Sequence, residues 1–465
     1  MASQTGSQTE VRVFHGTIIH STSPQHLHIL QNALLVYSTA DGRILALQPD
    51  TPLDAVPHTL RTLHIPDNAP ITHLSPSQFL IPGLVDTHNH APQWAMRGRG
   101  QGMHILDWLD AVTFPAEARF ASEPYARRTY ASLVRGMLRQ GVTTASYYAS
   151  LHGPATRILA DLCLELGQRA LVGKCNMDRG SPDYYVDESA EQSMRVTQEC
   201  IDYIRAADPS GALVRPVLTP RFAISCTSDL LNRLGALAER EPDLPIQTHF
   251  NEAEQERSAT LSLFPDFKDE VSLYESFGLL NERSILAHCT IMTEEETARL
   301  RNLDCGVAHC PTANMTVGGG FMAAPVRDFL ARGMKVGLGT DSGGGYSSSM
   351  LNAMRHALIA SFAREALYEN HLQGLTLEEV FWMATVGGAK VVGLGEVIGN
   401  FDVGKQFDAI VVDVSDERRG VNTPMEDTDT PRIMLDKFIM TGDDRNITEV
   451  FVRGKSVHRT QGVGY

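Results

Sequence analysis

Between residues 79 and 395, eight short β-rich runs alternate with longer stretches whose apolar residues recur at three and four, and few folds accept that rhythm. The runs are FLIPGLVDTH, TTASYYAS, RALVGKCNM, VRPVLTPRF, PIQTHF, SILAHCT, CGVAHCP and KVGLGTD. Between them lie amphipathic segments such as EPYARRTYASLVRGMLRQG and TSDLLNRLGALAERE. Strands joined by helical crossovers run parallel, and eight such units predict a closed (β/α)8 TIM barrel.

The two ends of the chain have a different texture. VRVFHGTII, ALLVYS and RILALQ near the start, and FDAIVVDV and EVFVRGKSVHR near the finish, are strand-like runs separated by turn residues. They predict one small β-sandwich domain built from residues 10–78 and 396–465, closing around a barrel at 79–395. Residues 1–9 are polar and are expected to be disordered. The acidic stretch NTPMEDTDTPR reads as a surface loop.

Composition narrows the function classes. A formal charge of -15 disfavours nucleic acid or an anionic membrane as a partner and suits a small neutral or cationic ligand. No apolar run is long enough to span a bilayer, and the start, MASQTGSQTEVRV, lacks a basic segment followed by an apolar one, so a soluble cytoplasmic protein is expected. The seven cysteines contain no C-x-x-C pair. Their odd count argues against a disulfide framework, and the missing pair excludes the H-x-E…P-C-x-x-C zinc signature.

In a barrel of this type, chemistry sits at the C-terminal ends of the strands, and polar residues recur there. Strand one ends in His88 and His90, whose i, i+2 spacing points both rings to one side. Strand five ends in His249, strand six in His288 and strand eight in Asp341. His88, His90, His249 and Asp341 converging from strands one, five and eight make a four-ligand metal site with room for water. Singly, each could be a hydrogen-bonded core residue; together they favour metal. Glu252, three residues after His249, is placed to move protons without binding metal, although Glu254 and Glu256 also allow a solvated acidic helix start. His309 in AHCPTAN is expected to shape the loop after strand seven, and Lys174 to be a paired structural lysine. The runs Gly318-Gly319-Gly320 and Gly343-Gly344-Gly345 read as mobile loops or tight turns.

THNH on strand one, the single histidines on strands five and six, and GLGTDS on strand eight resemble the amidohydrolase superfamily of metal-dependent hydrolases. HAPQW, LDWLDAVTFPAEARF, TPRFAISC, THFNE, AHCPTAN, GLGTDSGGGYSSSML and GDDRNITEVFVRGK resemble its guanine-deaminating members. The resemblance implies one zinc ion on His88, His90, His249 and Asp341, with His288 beside the attacking water. It implies proton transfer by Glu252 and Asp341, and contacts to a guanine substrate from Gln93, Arg221 and Phe222, with His90, His249, Glu252 and Asp341 around it. Xanthine and ammonia would be the products, and a homodimer the assembly. Two-metal relatives carry a bridging lysine, usually on strand four; strand four here ends in Arg221 instead, which implies a mononuclear site.

Overall fold

The computed structural model describes residues 11–66, 68–368, 373–415 and 420–460; the expectation for residues 1–9 falls outside them. In chain order the first strands are β1 (Val11–Ser23), β2 (His26–Ser38), β3 (Ile44–Gln48), β4 (Ile71–His73) and β5 (Gln78–Pro82). The middle supplies β6 (Leu84–His90), β7 (Val142–Tyr148), β8 (Arg169–Gly173), β9 (Cys175–Asn176), β10 (Val214–Pro216), β11 (Thr219–Pro220), β12 (Ile246–Phe250), β13 (Ser284–His288), β14 (Gly306–His309) and β15 (Lys335–Leu338). The last three are β16 (Ala409–Asp413), β17 (Ile447–Val452) and β18 (Lys455–Arg459).

Strands from both ends of the chain share one eight-stranded sheet, ordered β18-β17-β16-β5-β1-β2-β3, with β4 on β1. On this sheet Phe407 stacks on Phe14 and Tyr37, and Phe451 packs edge-on to Phe14. Of the expected loop NTPMEDTDTPR, residues 422–430 are a mostly exposed loop, whereas Pro431 and Arg432 open the helix Pro431–Thr441, which the Thr430 side chain caps.

All the middle strands pair in parallel, as β6-β7-β8-β10 with the short extensions β9-β11, and as β12-β13-β14-β15. Leu218 bridges to Ile246 and so links the two groups. The circuit returns to β6 where the Asp341 N–H donates to the His88 carbonyl at 2.9 Å. Every residue of β6, β7, β8, β12, β13 and β14 is buried, as parallel strands covered on both faces must be. Helices cover the outside. On the helix Glu123–Arg139, Ala126, Tyr130, Leu133, Val134, Met137 and Leu138 form the buried stripe. On Ser228–Arg240, the Thr227 side chain caps the Leu230 N–H, and Leu230, Leu231, Leu234 and Leu237 face inward.

Three expected strands are broken: RALVGKCNM into β8 and β9, VRPVLTPRF into β10 and β11, and, with the largest consequence, the first. FLIPGLVDTH is not a single element: Gln78–Pro82 joins the terminal sheet, antiparallel to β16, and the parallel strand starts at Leu84. Gly83 makes the break possible, because a Cβ there would lie 2.1 Å from the Thr143 hydroxyl, and its N–H donates to the Asp408 carbonyl. The Asp408 carboxylate in turn accepts from the buried Arg169 guanidinium of β8 at 3.2 Å, fastening the two β regions together. Among the described residues no helix is long and apolar enough to cross a membrane, and all seven cysteines are free and buried.

Candidate active site

At the ends of β6, β12, β13 and β15 the sequence-expected residues meet. The His90 and His249 Nε2 atoms lie 3.0 Å apart, and Asp341 Oδ1 is 3.3 Å from His88 Nε2 and 3.5 Å from His90 Nε2. Side-chain donors of His88, His249 and His288, and likewise of His88, His90 and Asp341, fall within 4.8 Å of one another. Such a set of imidazoles with one carboxylate fits a zinc-like divalent ion.

The hydrogen bonds behind the rings aim them. His249 Nδ1 donates to the Arg221 carbonyl at 2.6 Å, and His288 Nδ1 to the Asn314 Oδ1 at 2.8 Å, so each Nε2 points inward with its lone pair free. The Nε2 atoms of His88 and His288 are buried with no hydrogen-bond partner, the state expected of atoms directed at an ion or at reactants. Burial, reinforced by the neighbouring imidazoles, pushes His88, His90 and His249 well below the usual histidine value, which keeps them neutral and ready to ligate. The backbone is bent to suit. Asn251, His288, Cys289 and Asp341 all adopt left-handed φ, between 44 and 77°, a strain non-glycine residues ordinarily avoid.

Glu252 is 4 % exposed, with Oε1 3.6 Å from His288 Nε2. Burial first, then the Asp341 charge, raises its carboxyl to about 8, so it can hold a proton at neutral pH. Burial likewise raises Asp341, to about 6. A small pocket opens beside these groups, lined on its polar side by His90, Gln93, Arg221, His249, Glu252 and Asp341. Its apolar side is Ile105, Trp108, Leu109, Phe222 and Val317. The Phe222 ring lies 5.7 Å from that of His249. Every site residue expected from the sequence therefore reaches the cluster or the cavity beside it. His309 and Lys174 do not: Lys174 is buried against Asp187 and Ser193, the paired arrangement expected of it.

Two contributors went unread. Tyr148 of β7 packs its ring 4.7 Å from both His88 and His90. Glu117, wholly buried, accepts from Gln93 Nε2 at 2.8 Å, from both terminal nitrogens of Arg221 at 2.7 and 3.2 Å, and from the Tyr185 hydroxyl at 2.8 Å. The Glu117 contact fixes which end of the Gln93 amide is which, and its Oε1 is buried without a protein partner.

Residues 79–457 match the amidohydrolase family. The chain belongs to that family. A Schizosaccharomyces pombe protein described as a probable guanine deaminase is 41% identical over 96% of this chain and 83% of its own length. The Dictyostelium discoideum guanine deaminase is 39% identical over 96% of this chain and 98% of its own. The crystal structure of guanine deaminase from C. acetobutylicum with guanine bound in the active site superimposes with a TM-score of 0.86 at 30% identity, covering 96% of this chain and all of that one. This amidohydrolase thus shares a TIM-barrel-containing fold and a hydrolytic site with relatives that are metal-dependent as a family.

Proposed function

We propose that this amidohydrolase hydrolyses guanine to xanthine and ammonia. The observation that carries the proposal is the buried histidine-aspartate cluster adjoining a pocket lined by Gln93, Arg221, Phe222 and Glu252, in a chain that matches guanine deaminases over almost its whole length. His88, His90, His249 and Asp341 are read as ligands of one zinc ion. Bound there, the ion supplies the Lewis acidity that brings the pKa of water to about 7.

The chain's own groups do the rest. His288 Nε2 orients the attacking water and faces the oxygen charge that develops at C2. Asp341 takes a proton from that water. Glu252 delivers its proton to the ring nitrogen N3, then takes the C2 hydroxyl proton and passes it to the amino group, so that C2–N breaks and ammonia leaves as the C2 carbonyl forms, and the proton held by Asp341 restores Glu252. Gln93 Oε1 and Arg221 address the polar edge of the ring, Phe222 lies against the ring with His249, and the apolar lining excludes bulk water.

The eight-strand circuit is read as a (β/α)8 barrel, and the terminal sheet as a composite β-sandwich domain. Free buried thiols fit a reducing cytoplasm, and the expected assembly is a homodimer. The test is xanthine formation from guanine beside adenine and guanosine. Guanine should be the preferred substrate, and preference for adenine would overturn the assignment.

A further inference from the structure

We infer that Glu117 is a positioning residue that sets which purine edge the pocket accepts, an inference that rests on the guanine reading above. Its carboxylate receives four hydrogen bonds: one each from Gln93 and Tyr185, and two from Arg221. A carboxylate paired with a guanidinium only accepts, so the Gln93 amide must turn its nitrogen toward Glu117. That leaves Gln93 Oε1, buried and without a protein partner, as a fixed acceptor. The same contact holds the Arg221 fork, leaving Arg221 Nε as a buried donor without a partner. Gly343 packs against the Gln93 oxygen: its φ is 131°, and a Cβ there would lie 1.8 Å from Oε1. The amide is thereby held between a carboxylate and a backbone that only glycine can supply.

A fixed acceptor reads a substrate in one sense only. With the reacting carbon C2 anchored at the histidine cluster, guanine presents a carbonyl at C6 and an N–H at N1. 2,6-Diaminopurine has the same leaving group but presents an amino group at C6 and a bare nitrogen at N1. The two edges are reversed in donor and acceptor, so an amide locked one way matches one of them and leaves unmatched buried groups with the other. Were Gln93 free to turn over, it could serve both.

The experiment measures kcat and KM for guanine and for 2,6-diaminopurine on wild type, Glu117→Gln and Glu117→Asp, with bound metal and circular dichroism recorded for each. Glu117→Gln allows the Gln93 amide to reverse. Glu117→Asp keeps a charge beside Arg221, protecting the fold, while withdrawing it from Gln93. Both should lower the ratio of kcat/KM for guanine over 2,6-diaminopurine by roughly tenfold or more, with metal retained and guanine KM affected more than kcat. A uniform loss on both purines with the ratio unchanged in Glu117→Asp would overturn the inference, whatever Glu117→Gln does. Absence of guanine turnover in the wild type would instead overturn the functional reading itself.

Discussion

Asp86 on β6 accepts both the backbone N–H of Thr340, at 2.9 Å, and its hydroxyl, at 2.6 Å, across the seam where the first and last parallel strands meet. The same carboxylate takes the His88 N–H at 3.3 Å and the Asn89 amide at 2.9 Å. His88, two residues beyond Asp86, and Asp341, which follows Thr340, are therefore held in register by a carboxylate that touches the His88 backbone but neither of their side chains. The carboxylate is wholly buried, and burial raises its pKa to about 6 even against these donors.

Asp86→Ala strips four donors of their acceptor at once. Orphaned buried donors of this kind cost roughly 2–4 kcal/mol in total, so the melting temperature should fall and the folded fraction should hold less metal. Differential scanning calorimetry with metal analysis reads both. An unchanged melting temperature would show that the seam is held elsewhere.

On the mononuclear reading, metal analysis of the purified protein should find about one zinc per chain. Chelation should abolish guanine turnover and added zinc restore it. Two tightly held ions per chain, both needed for activity, would refute the mononuclear reading.

The strands and the metal-type cluster were legible because each barrel strand is an apolar run ended by a conspicuous polar residue, as in VDTHNH, IQTHF, ILAH and VGLGTD. That pattern is local and survives in one dimension. Glu117 is the opposite case: a single acid in FPAEARF whose partner Arg221 lies 104 residues away, so no spacing encodes the contact. Asp86 was likewise hidden inside the run that announced His88, since its role exists only once β6 meets β15. The break at Gly83 escaped notice for the same reason. It depends on Thr143 and Asp408, and the apolar pattern runs on through it unchanged.

The terminal sheet carries a titration of its own. His20 of β1 is buried beside His28 and Phe401, and burial, then the His28 imidazole, lowers it to about 4. Between about 4 and its ordinary 6.5 the unfolded chain binds a proton that the native state refuses, so stability rises with pH across this window and is lost on acidification through it. His20→Gln removes the titration while leaving an acceptor for the Phe401 N–H. Relative to this variant, wild type should lose on the order of 3 kcal/mol between pH 7 and pH 4, measured by urea denaturation at each pH. Parallel stability profiles would show that His20 is solvated or paired.

Glu252 gives the sharpest test of the chemistry. Its backbone is tied down independently of its carboxyl group, because its carbonyl accepts from the Thr290 hydroxyl and its N–H donates to Glu256 at 3.3 Å. Glu252→Gln should therefore keep the side chain in place, facing His288, with the fold and the bound metal unaltered. What it removes is the proton that a carboxyl raised to about 8 can hold and release. Groups acting as general acid or base contribute on the order of 10²–10⁴ in rate, and guanine turnover should drop by that factor in kcat. Near-normal xanthine formation by the metal-loaded variant would return Glu252 to a purely structural role and leave the proton transfers to Asp341 and His288.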